Sequence, residues 1–208
     1  FMKIFITGAN GFLGSHLVDS LLEKKWEVHL LIRRSSNLQW LLGKKVHYHY
    51  GDIVGDGHGL REGLKEVDVC FHLAGVIVAA SSATYYRVNA EGTANVLEAC
   101  WKEFQKSKKL KRVVVVTSIA AQGPSLDDRP ATEEETPRPI TDYGRSKRDA
   151  ELIAHRYFDR LPITIIRPPA LYGPRDRQFF RVFQLARFGI VPMLGRGGRV
   201  ASVAFVQD

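Results

Sequence analysis

Short apolar runs alternate with stretches of helical period along most of this chain. Residues 3–7, 28–32, 46–50, 69–73, 113–117 and 163–166 read as strands. The run Val113, Val114, Val115, Val116 is continuous, as expected for a strand buried on both faces. Between these runs, 13–24, 85–104 and 142–158 carry apolar residues at helical spacing, and Leu60, Leu64 and Val67 mark a shorter helix. Leu17, Val18, Leu21 and Leu22 line one face of the first helix, and Thr141 or Asp142 caps the last. Strand–helix alternation of this kind predicts an α/β fold, a doubly wound parallel sheet with right-handed crossovers and helices on its flanks. The segment 123–139 is rich in Pro, Asp and Glu and lies outside the sheet. After Gly173 the pattern changes: 179–188 looks helical, 195–198 is a glycine-rich turn and 200–206 is strand-like.

Composition narrows the class. The chain has 208 residues, 45% hydrophobic and 25% charged, which excludes a disordered or collagen-like polymer and suits one α/β domain. No apolar run is long enough to span a membrane, which needs about 18 residues. The first apolar run, around Ile4 and Ile6, leads straight into a glycine motif and does not read as a signal peptide. Cys70 and Cys100 are too few for a disulfide framework or a tetrahedral metal site, so no metal is expected and a reducing cytoplasm is the natural setting. Phe1 stands ahead of Met2 and the chain stops within a strand-like run, so part of a longer protein is expected to be absent.

The formal net charge is +8. Lys106, Lys108, Lys109, Lys111 and Arg112 read as a solvated helix end. After Lys147 no lysine remains, but Arg167, Arg175, Arg177, Arg181, Arg187, Arg196 and Arg199 occur. The guanidinium fork suits phosphate oxygens, so at least one of the later arginines is a candidate phosphate ligand. Aromatic and basic residues are not interleaved, which disfavours nucleic acid as the partner.

Gly8, Gly11 and Gly14, with Asn10, Phe12 and Leu13 between them, join the first strand to the first helix. Glycines at that spacing allow a tight turn and close backbone approach, and the helix start favours a dinucleotide pyrophosphate. At the end of the second strand an NAD protein usually offers an acid to the ribose; here Arg33 and Arg34 stand instead. Arg33 can neutralise a 2′-phosphate, which favours NADP over NAD, although two surface arginines at a strand end also fit. Asp52 is placed to accept from an adenine amino group with Ile53 on the ring, or to serve its own turn. Leu73, Ala74 and Gly75 are small enough for a cofactor to lie against the backbone, and His72 reads as structural.

Tyr143 and Lys147 are four apart on a helix and share a face. A neighbouring ammonium lowers a phenol's pKa and lets tyrosine exchange a proton with a carbonyl or alcohol oxygen. Ser118 follows the valine strand at the sheet's carboxyl edge, where ligands bind, and can hold the substrate oxygen. A backbone-bonding serine is the alternative there, and Thr117 competes for the role.

Together these residues resemble the extended short-chain dehydrogenase/reductases, the NAD-dependent epimerase/dehydratase branch. The resemblance rests on Gly8, Gly11 and Gly14, Gly51-Asp52, His72-Leu73-Ala74-Gly75, Asn89, Ser118, Tyr143-Gly-Arg-Ser-Lys147 and Arg167-Pro168 through Gly173-Pro174. It implies a Rossmann-like dinucleotide-binding domain over 1–172 and an incomplete substrate-binding region from 173 to 208. In it Ser118, Tyr143 and Lys147 are catalytic, Lys147 also binds ribose, Asn89 supports the site and Pro168 flanks the nicotinamide. It implies a cytoplasmic enzyme that moves a hydride between nicotinamide C4 and a substrate alcohol or ketone carbon. Either a nucleotide-sugar epimerase or an NADP-linked carbonyl reductase fits, working as a homodimer paired through helices 85–104 and 142–158. Ile119, Ala120 and Ala121 stand where family dehydratases carry an acidic pair, which disfavours sugar 4,6-dehydration. A non-catalytic dinucleotide sensor is the alternative.

Overall fold

The computed structural model describes residues 1–125, 129–190 and 201–208. They divide into two compact units, Phe1–Arg167 and Pro168–Asp208.

The first unit is a six-stranded sheet whose described pairings are all parallel: β1 (Lys3–Thr7), β2 (Glu27–Ile32), β3 (His47–Tyr50), β4 (Val69–His72), β5 (Arg112–Val116) and β6 (Ile163–Ile166). The strand order is β3-β2-β1-β4-β5-β6, the doubly wound arrangement predicted above. Its direction of winding reverses between β1 and β4, so the crevice for a ligand opens at the carboxyl ends of those two strands.

Period-two burial explains why these segments are strands. Ile4 and Ile6 of β1 point into a cluster with Val18 and Leu21 of α1 (Phe12–Glu23) and Val28, Leu30 and Ile32 of β2. Phe5 points the other way, into a cluster with Leu60 and Leu64 of α2 (His58–Leu64), Val96, Leu97 and Cys100, and Val113 and Val115 of β5. Both faces of the central strands are therefore apolar, and the valine run of β5 is buried as expected except for its half-buried last residue.

The expected helix over 85–104 is broken up. A single turn, α3 (Ser82–Tyr85), runs into a π-helical segment, Tyr86–Glu91, and α4 (Gly92–Ser107) follows. The wider turn carries the buried Asn89, whose side chain bonds groups outside the helix. Period alone does not reveal such an insertion. A second short helix, α5 (Ile119–Gln122), begins right after β5 and was not anticipated. α6 (Asp142–His155) starts where predicted, with Thr141 as its cap: the Thr141 hydroxyl oxygen accepts from Gly144 N at 3.0 Å.

The second unit holds β7 (Ala170–Tyr172), which pairs in parallel with β8 (Val203–Phe205), and α7 (Phe179–Arg187). The strand expected over 200–206 is thus three residues long among the described residues; Val200, the turn at 195–198, Arg196 and Arg199 lie outside them. Among the described residues no helix is long and apolar enough to cross a membrane.

Candidate active site

The turn after β1 is built by backbone crowding. Gly8 adopts φ +77°, and a Cβ there would sit 2.6 Å from Ala74 N. A Cβ on Gly14 would collide with the Gly8 carbonyl oxygen. Only glycine fits both places, so the strand end, the helix start and the segment after β4 come into direct contact. Gly11 N donates to Gly8 O at 3.1 Å, and Gly11 caps α1 without a side-chain bond. The first turn of α1 carries no acid. Backbone N–H groups and a helix dipole unopposed by side-chain charge suit a pyrophosphate. Asn10, Phe12 and Leu13 lie in this same turn.

Two hydroxyls and an imidazole fix the neighbouring strand end. His72 Nδ1 pairs with Thr7 Oγ1 at 2.7 Å, and its Nε2 pairs with Thr93 Oγ1 at 2.9 Å. Thr93 donates onward to Asn89 O at 2.6 Å, and Ala74 N donates to Thr7 Oγ1 at 3.2 Å. His72 is 2% exposed, and burial, helped by the Lys147 charge, lowers its pKa to about 3. It is a neutral structural link, as the sequence indicated. Leu73, Ala74 and Gly75 follow it at the rim, where a Cβ on Gly75 would come within 2.9 Å of both Asn89 Oδ1 and Lys147 Nζ.

Asn89 ties this rim to α6. Its Oδ1 accepts from Val76 N (2.9 Å), and its Nδ2 donates to Val76 O (3.1 Å) and Ser146 Oγ (2.9 Å). Ser146 in turn donates to Tyr143 O at 2.7 Å. Lys147 is buried on the same helix and donates to Val116 O, at the end of β5, at 3.3 Å. Burial lowers its ammonium pKa to about 8, against the pull of the Glu151 carboxylate.

Ser118 does two things. Its hydroxyl oxygen accepts from Ala120 N at 3.1 Å, capping α5, so the backbone-bonding alternative is realised. The same hydroxyl is near enough to the Tyr143 phenol to influence its proton affinity. Burial raises the Tyr143 pKa, the Ser118 hydroxyl lowers it, and Tyr85, with its ring 6.1 Å away, raises it. The expected lowering by Lys147 is not among these influences: with its own pKa near 8, the lysine has lost its charge before the phenol, raised above its ordinary 10, begins to titrate. The phenol is held protonated.

Thr117 does not compete with Ser118. Its hydroxyl donates to Glu151 Oε1 at 2.6 Å. Glu151, 2% exposed, is also gripped by Arg167 through Nε (2.9 Å) and Nη2 (2.6 Å), while Arg167 Nη1 donates to Gln122 Oε1 at 2.7 Å. Arg167 is therefore committed to this internal network and is withdrawn as a phosphate candidate. Sequence reading missed Glu151 and Gln122, since nothing in their local pattern signals a partner far along the chain.

The cofactor candidates divide. Gly8, Asn10, Gly11, Phe12, Leu13, Gly14, Leu73, Ala74, Gly75, Asn89, Tyr143 and Lys147 belong to the carboxyl rim around the β1–β4 crevice and its α6 border. Arg33 follows β2, with a 63% exposed side chain and its Nη1 3.9 Å from Asp52 Oδ2. Asp52 Oδ1 accepts from Val54 N at 3.2 Å, so the carboxylate serves its own turn. Ile53 is buried in the core, with its side chain against Gly92. Pro168 is the first residue of the second unit.

A model of the NAD dependent epimerase/dehydratase family matches residues 4–188. The chain belongs to this family. A ceramide reductase of Caulobacter vibrioides is 34% identical over 206 residues, covering 99% of this chain and 57% of that protein. N-acetyl-alpha-D-glucosaminyl-diphospho-ditrans,octacis-undecaprenol 4-epimerase of Escherichia coli O157:H7 is 28% identical, covering 99% and 60%. Among solved structures, UDP-glucuronic acid 4-epimerase from Bacillus cereus, in complex with UDP-glucuronic acid and NAD, is similar at TM-score 0.82 and 27% identity, covering 99% of this chain and 70% of that one. The chain spans a little over half the length of the curated relatives it matches.

The buried imidazole has a measurable consequence. In the unfolded chain His72 takes up a proton near pH 6.5, and in the fold only near 3. Below 6.5 the unfolded state binds the extra proton, so stability falls as pH drops through that window, by at most about 1.4 kcal/mol per pH unit. Urea unfolding across this range should show a shallower acid-side slope for His72→Asn than for the unaltered protein; equal slopes would contradict it.

Proposed function

We propose that this chain forms the nucleotide-binding part of an oxidoreductase that reduces a substrate carbonyl with NADP as the preferred dinucleotide. The observation that carries the reading is the placement of Ser118 just past the end of β5 and of Tyr143 and Lys147 on α6, with Lys147 Nζ donating to Val116 O at that same strand end at 3.3 Å. A protonated phenol is equipped to give a proton, which is what carbonyl reduction asks of it.

The residues present fit a dinucleotide. Gly8, Asn10, Gly11, Phe12, Leu13 and Gly14 would cradle the pyrophosphate, with Asp52 and the Ile53 backbone bordering the adenine side. Leu73, Ala74, Gly75 and Asn89 would border the ribose and nicotinamide, Lys147 would hold the ribose hydroxyls, and Pro168 would flank the ring. Bound there, the nicotinamide supplies the hydride. Ser118 would hold the substrate oxygen, and Tyr143 would pass its phenol proton to that oxygen, so that reduction of the carbonyl would end in an alcohol. Arg33, exposed beyond β2, would pair with the 2′-phosphate that only NADP carries. Residues 173–208 would belong to the start of a substrate-binding region.

A second reading is epimerisation of a nucleotide sugar through a transient ketone; the E. coli and B. cereus relatives favour it. Supplying the whole protein with NADPH and a carbonyl panel, then with UDP- and GDP-sugars, separates the two. Net NADPH consumption supports reduction; sugar isomerisation without consumption overturns it for epimerisation.

Two substitutions test the roles. Tyr143→Phe should cut turnover by about 10²–10⁴-fold while leaving dinucleotide affinity nearly unchanged. Unchanged turnover would remove Tyr143 from the chemistry. Arg33→Ala should weaken NADP by about tenfold or more, with NAD barely affected. An equal loss for both, read by equilibrium titration, would make Arg33 a bystander.

A further inference from the structure

Away from the nucleotide rim, toward the amino end of the sheet, histidines and a glutamate crowd one face of two adjacent strands. β2 contributes Glu27 and His29, two residues apart and therefore on the same face. β3, the edge strand, contributes His47 and His49 in the same way. The parallel register sets His29 directly beside His47. Their rings stack with centroids 4.5 Å apart. Glu27 Oε1 lies 2.7 Å from His29 Nε2 and 4.0 Å from His47 Nε2. One ligand atom from each of Glu27, His29 and His47 falls within 4.8 Å of the others.

We propose that Glu27, His29 and His47 form a binding site for a divalent transition-metal ion of the zinc class.

Tetrahedral Zn(II), with bonds of about 2.0–2.2 Å, sets its ligand atoms about 3.4 Å apart. The carboxylate–imidazole separations of 2.7 and 4.0 Å bracket that value, so modest side-chain rotations admit the ion. The donor set is two imidazoles and one carboxylate, leaving a fourth position for water, and imidazole nitrogen selects zinc, nickel or copper over magnesium or calcium. The site is reachable, because the Glu27 and His47 side chains are 49% and 59% exposed, while His29 is anchored in the protein.

His49 supplies what a metal-bound imidazole needs on its far side. Its Nε2 lies 2.8 Å from His29 Nδ1. With His29 Nε2 on the metal, His29 must carry its proton on Nδ1 and donate it to His49, which fixes ring and tautomer together. Lys3, in register beside Glu27, donates its ammonium to Lys65 O at 2.9 Å. The bound ion would clasp the edge strand β3 to β2. The signal was legible as Glu-x-His and His-x-His on consecutive strands, but only the register shows that they meet.

The test is zinc uptake by the tag-free protein after chelator treatment, followed by dialysis and elemental analysis, with isothermal titration for affinity. One Zn(II) per chain is expected, undisplaced by excess magnesium. His47→Ala, at an exposed position that should not disturb folding, should lose that equivalent, and the exposed His155→Ala should keep it. His49→Phe should retain one equivalent at about 10–100-fold weaker affinity. No uptake by the unaltered protein, or uptake that survives His47→Ala, overturns the proposal.

Discussion

Asn89, buried in the widened turn ahead of α4, donates to Ser146 on α6 and exchanges two hydrogen bonds with the backbone of Val76. That amide holds three things in one place: the segment leaving β4, the helix carrying Tyr143 and Lys147, and the start of α4. Its geometry is demanding, because every polar atom of a buried amide left without a partner costs about 1–3 kcal/mol. The π-helical turn is the conformation that lets a residue from within this helical segment reach sideways to both neighbours. Gly75, one residue before Val76, completes the arrangement, since a larger residue would displace either Asn89 Oδ1 or Lys147 Nζ.

Around that anchor, polar groups are buried and satisfied in chains. Thr7, His72 and Thr93 link β1, β4 and α4. Thr117, Glu151, Arg167 and Gln122 link the ends of β5 and β6 to α6 and α5. A buried ion pair contributes little net stability when it must be desolvated, but breaking it strands a charge, so such networks favour one arrangement over its competitors. Here they position the helix and strand ends that carry Ser118, Tyr143 and Lys147, while leaving those three outside the Glu151–Arg167 pair. The burial that rigidifies the site also sets its chemistry: it raises the Tyr143 phenol and lowers the Lys147 ammonium.

The fold was legible because its signals are local. Alternating Ile4, Phe5 and Ile6 feed opposite faces of the sheet, the valines of β5 declare a buried strand, and Gly8 and Gly14 mark a turn that no other residue fits. Tyr143 and Lys147 were visible as a helical pair. What stayed hidden depends on partners distant in the chain. Asn89 looks like any polar helix residue until Val76 and Ser146 are beside it. Arg167 looks like a free cation until Glu151 claims it. The direction of the Tyr143 shift could not be read from helical spacing, since it turns on how much water the phenol keeps.

On the proposed reading, the crevice between β1 and β4 takes a dinucleotide whose reactive end reaches Ser118 and Tyr143. A crystal structure of the whole protein with NADP tests it most directly. The pyrophosphate should lie on the amides of the Gly8–Gly14 turn, the 2′-phosphate at Arg33, and the nicotinamide beside Tyr143 and Lys147. A nucleotide bound elsewhere, or lying in the crevice with its nicotinamide directed away from Tyr143, would contradict it.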